Sequence, residues 1–167
     1  MFRRIRLRLK DMKTLIALGE GAKKHANLGG DEKVGAEHYV LSALELPDGS
    51  ASRVFHRLGI SAEDYCRSIE DQYKAALDAV GISAGNTPVE PIAETGGLVH
   101  VKGSGSELMK SLHALKQTDK DRALLGAHVL TVVGEMKHGA AIRAFRALGI
   151  DSSTLNEAIQ CELGSAG

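Results

Sequence analysis

The feature that most constrains this 167-residue chain is that it repeats itself. Displaced by 90 residues, His38 falls on His128, Glu45 on Glu135, Gly49 on Gly139, Ala51 on Ala141, Arg53 on Arg143 and Phe55 on Phe145. Leu58-Gly59-Ile60 then falls on Leu148-Gly149-Ile150, all without a gap. The same displacement sets Leu18 on Leu108 and Ala22 on Leu112. Such a chain folds as two copies of one unit that share a core.

The unit is helical. Residues 11–28 carry Leu15, Leu18, Ala22 and Ala26 at three- and four-residue spacing and run into Gly29-Gly30, which predicts a first helix. Residues 37–46 predict a second, stopped by Pro47-Asp48-Gly49, and residues 50–58 a third, stopped by Gly59. Ser61 stands three residues before Asp64 and caps a fourth helix with the stripe Tyr65, Ile69, Tyr73 and Leu77. The second half predicts helices over 105–118, 126–136, 139–148 and 152–162, with Asp151 as a cap and with Ser104 or Ser106 capping the helix that follows. The fold class is all-α, two four-helix repeats related by a pseudo-twofold axis, with Phe55, Phe145, Leu58 and Leu148 buried. The domain reading is a basic arm over 1–10, a first repeat over 11–80, a Gly- and Pro-containing linker over 81–104 and a second repeat over 105–163. Two stretches resist the plan: Ile5, Leu7 and Leu9 alternate with cations, and Leu98, Val99 and Val101 flank His100. Both approach a period of two and could pair as a small ribbon.

The absence of Trp, with three Phe and three Tyr among many small residues, agrees with close helix packing rather than a β-sandwich. A formal net charge of zero gives the whole molecule no electrostatic reason to seek nucleic acid. The charge is uneven, however: Arg3, Arg4, Arg6, Arg8, Lys10 and Lys13 face Asp11 alone. An alternative reading follows, in which residues 3–13 bind nucleic acid or an anionic membrane. No apolar run is long enough to span a membrane, and MFRRIRLRLK lacks the apolar core and cleavage site of a signal peptide, so a cytoplasmic location is expected. Cys66 and Cys161 lack CxxC spacing, and both are expected to be buried thiols rather than a disulfide.

The string Val34-Gly35-Ala36-Glu37-His38-Tyr39-Val40-Leu41-Ser42-Ala43-Leu44-Glu45 is followed by a small-residue helix ending in Leu58-Gly59-Ile60. It resembles the N-terminal repeat of Clp-type AAA+ chaperones, whose usual form is I-G-T-E-H-L-L-L-A-L. Leu124 to Leu130 resembles it more loosely, and the resemblance covers about residues 11–163. It implies an eight-helix pseudo-twofold domain that captures protein substrates, adaptors or regulatory ligands for a Clp-type ATPase in regulated proteolysis. The chain has no G-x-x-x-x-G-K-[ST], so the ATPase modules are lacking. Relatives commonly carry F-T-x-x-A at the first helix, where Asp11-Met12-Lys13-Thr14-Leu15 stands here. In some bacterial relatives the Glu of the T-E-H string helps bind phosphoarginine on substrate proteins. By resemblance Glu37, flanked by Ala36 and His38, takes that role, while Ala127 removes it from the second repeat. Read from its position alone, Glu37 needs no ligand, because a carboxylate in a first helical turn complements the macrodipole. His38 and His128 read as structural groups at the helix start.

No catalytic residue, metal site or cofactor is expected. Glu135-x-x-His138 is the unit of a di-iron bundle, but no second copy occurs. H-E-x-x-H and G-x-S-x-G are absent, and Gly103-Ser104-Gly105-Ser106 lacks the Lys-Ser/Thr of a phosphate loop.

Overall fold

The computed structural model describes residues 2–81 and 100–165. The described residues form eight helices: α1 (Phe2–Leu28), α2 (Ala36–Leu44), α3 (Ser50–Leu58), α4 (Ala62–Ala79), α5 (Gly103–Thr118), α6 (Gly126–Glu135), α7 (Ala140–Ala147) and α8 (Ser152–Ser165). Two short strands, β1 (Lys33–Val34) and β2 (His100–Val101), pair in parallel.

The pseudo-twofold relation is visible in the packing. Helix α4 packs on α7 and α8 packs on α3, while α2 and α6 lie against each other at the centre. One polar contact is repeated by the symmetry: Arg53 Nε donates to Glu162 Oε1 at 2.7 Å, and Arg143 Nε donates to Gln72 Oε1 at 3.1 Å. Both members of the second pair lie 90 residues from their counterparts in the first, so the offset in the sequence is an operation in space. Each α3-like helix also ends in the same way. Gly59 and Gly149 take φ values of 69° and 78°, where a Cβ is disfavoured, and Ile60 and Ile150 N–H close back on the Phe55 and Phe145 carbonyls at 3.2 and 2.9 Å.

The core lies where the two repeats meet. Phe55 and Phe145 touch edge-on across the axis with ring centroids 5.7 Å apart, and Tyr65 packs on both. Tyr65 donates its hydroxyl to the Ala141 carbonyl, and Ser68 donates to the Ala144 carbonyl, so the polar atoms of α4 in this core are satisfied by α7. The expected capping of α4 is present: Ser61 Oγ accepts from Asp64 N–H, and Asp64 returns the bond to Ser61 N–H. Asp151 accepts from Thr154 N–H at 2.7 Å and caps α8.

Several expectations require correction. Residues 2–10 are not a separate arm or a strand but the first turns of α1, because no Gly, Pro or cap residue interrupts the run into residue 11. The partner of Val101 is therefore Val34, not the alternating segment Ile5 to Leu9. Leu98 and Val99 lie outside the described residues, as does most of the expected linker, while its last residues form β2 and the start of α5. Leu58 and Leu148 are only half-buried, since each ends its helix at the edge of the core. Cys66 is half-buried and Cys161 is exposed, and the two form no disulfide.

Phe145 is fully buried and Phe55 almost so. Phe145→Ala leaves a void on the axis and is expected to cost about 3–5 kcal/mol in denaturant unfolding, with Phe55→Ala close behind. A cost below about 1 kcal/mol for both would mean that the axis is not the stabilising core.

Candidate functional site

The residues singled out at the start of α2 meet a group from the other half of the chain. Gly35 is the N-cap in an extended conformation, and its N–H donates to His38 Nδ1 at 2.9 Å. Ala36 N–H donates to Ser104 Oγ at 3.3 Å. Ser104 thus caps α2 rather than α5, whose own N-cap is Lys102. Since Nδ1 of His38 accepts, its proton sits on Nε2, which faces Asp31 Oδ2 at 3.2 Å.

Glu37 is 2% exposed, yet it is not isolated. Its carboxylate folds back over the helix start, so that a Cβ built on Gly35 would fall 2.3 Å from Oε1, and any larger residue there would push the carboxylate from this position. Oε1 accepts from Tyr73 OH at 3.2 Å and from Lys102 Nζ at 3.1 Å. The same ammonium donates to Asp31 Oδ1 at 3.1 Å and Tyr73 OH at 2.9 Å, and lies 5.3 Å from the Tyr73 ring centre. Burial acts to lower the pKa of Lys102, but Tyr73, Glu37 and Asp31 together raise it well above its ordinary value. Burial likewise works against the Asp31 carboxylate, and the hydrogen bonds from His38 and Lys102 outweigh it, holding that pKa below the usual range. The arrangement fixes one cation between two carboxylates at the positive end of a helix.

Asp31, Glu37 and His38 offer donor atoms close enough to share a metal ion. The Lys102 ammonium stands among them, however, and both His38 ring nitrogens are engaged, Nδ1 by Gly35 N–H and Nε2 by Asp31. These residues fit an ammonium or a guanidinium rather than a metal. Glu135 and His138 are exposed and do not belong to that group.

The start of α6 solves the same problem with different residues. Leu125 N–H donates to His128 Nδ1 at 2.9 Å, the counterpart of the Gly35 to His38 bond. Where Glu37 would recur stands Ala127, whose N–H donates to Ser50 Oγ at 2.8 Å. Gly126 N–H meets both Asp48 carboxylate oxygens at 3.3 Å. Asp48, read in the sequence only as part of a helix stop, supplies the negative charge that Ala127 does not. Asp11 is a further residue whose role the sequence concealed. It is buried on α1, accepts from Leu124 N–H at 2.8 Å and pairs with Lys116 at 3.0 Å. Lys102 had one signal in the sequence, as the only Lys or Arg between Lys74 and Lys110.

Fold and site together define a helical, two-repeat domain in which His38, Ser104, His128, Asp48 and Ser50 close the starts of the two central helices. That is the fold of the Clp N-terminal domain. The chain is similar to the crystal structure of the Hsp104 N-terminal domain from Candida albicans, with a TM-score of 0.58 and 16% identity over 87% of this chain and 86% of that one. No family model matches the chain, and no curated protein matches it. No helix among the described residues is long and apolar enough to cross a membrane.

Burial lowers the pKa of His128 and of His25. A base whose folded pKa lies below its unfolded value binds its proton more readily when unfolded, so stability is intact above about pH 6.5 and is lost as pH falls through that value. The melting temperature should therefore drop between about pH 7.5 and about pH 5.5. His128→Gln keeps an acceptor for Leu125 N–H and should flatten part of the drop, leaving the share of His25.

Proposed function

We propose that this chain is a non-enzymatic protein- and peptide-binding module that works beside a Clp-type ATPase in regulated proteolysis, receiving substrates or adaptors. The observation that carries the reading is the fold shared with a chaperone N-terminal domain over nearly the whole of both chains. The residues at the α2 start support a peptide site of particular chemistry. Glu37 fills the space that Gly35 leaves open and lies beside a cation, Lys102, whose side chain is 29% exposed and which follows β2. A phosphoarginine side chain would set its guanidinium where that ammonium stands and its phosphate toward the positive end of the helix dipole. Binding is then an exchange in which Lys102 swings out. The α6 start, with Ala127 in place of the carboxylate and the Asp48 carboxylate already lying against Gly126 N–H, offers no equivalent place for a guanidinium beside a phosphate, so one site per chain is expected.

Titrating the protein with phosphoarginine and plain arginine peptides tests the site. Glu37→Ala should weaken the phosphorylated peptide by roughly 1.5–3 kcal/mol, the scale of a charge-assisted hydrogen bond. Lys102→Met, which removes the competing cation, should strengthen it. No preference for the phosphorylated form, or an affinity indifferent to both substitutions, removes the phosphoarginine reading while leaving the binding-module reading to its own test. That test is stimulation of, or stable association with, a separate Clp-type ATPase. ATP hydrolysis or peptidase turnover by the pure chain, abolished by a point mutation within it, would overturn the non-enzymatic reading.

A further inference from the structure

The first half of α1 carries a seam that the fold leaves uncovered. Ile5, Leu9, Met12 and Ile16 are 52%, 49%, 52% and 53% exposed. Their spacing is four, three and four residues, which places them within about 60° of arc on one side of a helix. The helix presenting them is fixed to the body by its other side. Leu18 and Ala22 are buried, Leu7 is half-buried, and Asp11 holds Leu124 N–H and Lys116. The seam therefore points away from the core in a set orientation, before any partner arrives.

Cations border it on both flanks. Arg8 lies one turn from Ile5 and Met12 on one side, while Arg6 and Lys13 lie one turn from Leu9 on the other. Asp11, the lone acidic residue among residues 2–16, is already committed to Lys116 and Leu124. The combination narrows the occupant. Nucleic acid would meet the cations but leave four apolar side chains facing phosphates. A lipid surface calls for an apolar face of roughly 100° or more, whereas a two-position stripe at this spacing is the seam of helix-on-helix packing. A second α1 would bring arginine against arginine.

We propose that this face of α1 docks an amphipathic helix of a partner protein, one with apolar residues at four-three spacing and Asp or Glu on both flanks. The surface is distinct from the α2 start, and the inference rests on the binding-module reading only in taking the partner to be a protein. Its failure leaves the phosphoarginine titration untouched, and the reverse holds.

The test uses the full chain and a synthetic helical peptide with leucines at four-three-four spacing flanked by glutamates, followed by fluorescence anisotropy. Saturable one-to-one binding is expected, weakening steeply with added salt. Leu9→Glu with Met12→Glu should weaken it by at least about tenfold, with an unchanged melting temperature because both side chains are exposed. Arg6→Glu with Arg8→Glu should turn the preference toward a lysine-flanked version of the peptide, and carries the test alone should the first variant misfold. Equal binding of a composition-matched peptide with scrambled spacing overturns the proposal, as does absence of saturation. Release of the peptide by phosphatidylglycerol vesicles or by a DNA duplex assigns the face to lipid or nucleic acid instead. A dimer in sedimentation velocity that depends on Leu9 and Met12 and resists the peptide assigns it to a second copy.

Discussion

Helices α2 and α6 run through the centre of the molecule, and a helix that starts in the interior must find partners for its first N–H groups without water. Both starts use a histidine at the third helical position that reaches back to the N-cap N–H. The next N–H groups are met from across the axis: Ser104 of the second repeat serves Ala36, and Asp48 and Ser50 of the first serve Gly126 and Ala127. Each cap is worth only about 1 kcal/mol, but a buried N–H left unmet costs about 1–3 kcal/mol. Neither repeat can close its own central helix, so the two form one cooperative unit through polar contacts as well as through Phe55 and Phe145.

The duplication has kept the requirement and changed the residues that meet it. Near α2, backbone pairing of Val34 with Val101 covers the approach, and Lys102 N–H donates to the Val34 carbonyl at 2.8 Å. At the matching place before α6, Leu124 N–H is met by the Asp11 side chain instead, and the chain preceding residue 11 continues α1 as helix. The negative charge moves in the same way, from Glu37 on the helix itself to Asp48 on a neighbouring turn. Equal electrostatics with unequal chemistry leaves one start carrying a partly exposed cation and the other sealed.

What the sequence disclosed follows from which interactions are local. The helices, the Gly59 and Gly149 stops, the Ser61 box and the twofold were legible because each depends on residues within a few positions or on the repeat itself. The Glu37 to Lys102 pair joins positions 65 residues apart and was hidden, since nothing in a sequence marks which distant cation will reach a carboxylate. Residues 2–10 misled for another reason. Leu7 creates an alternation with Ile5 and Leu9, but Ile5, Leu9, Met12 and Ile16 already hold the helical spacing, and Leu7 belongs to the side that leans on the body. Ser104, expected as a cap ahead of the helix over 105–118, lies instead inside α5 and caps α2.

A carboxylate held by the protein's own lysine has consequences for any ligand that takes its place. The arriving guanidinium gains only the difference between its interaction with Glu37 and Asp31 and that of the ammonium it displaces, so charge alone contributes little. Two features remain to distinguish the ligand. A planar guanidinium can present two N–H groups to one carboxylate, which a lysine cannot do in the same geometry. On the proposed reading, a phosphate on that guanidinium would reach the positive end of α2, where the Lys102 ammonium brings no matching charge. On that reading, selectivity at such a site would reside in the anion that travels with the cation, since the Lys102 ammonium already occupies the place a bare cation would take.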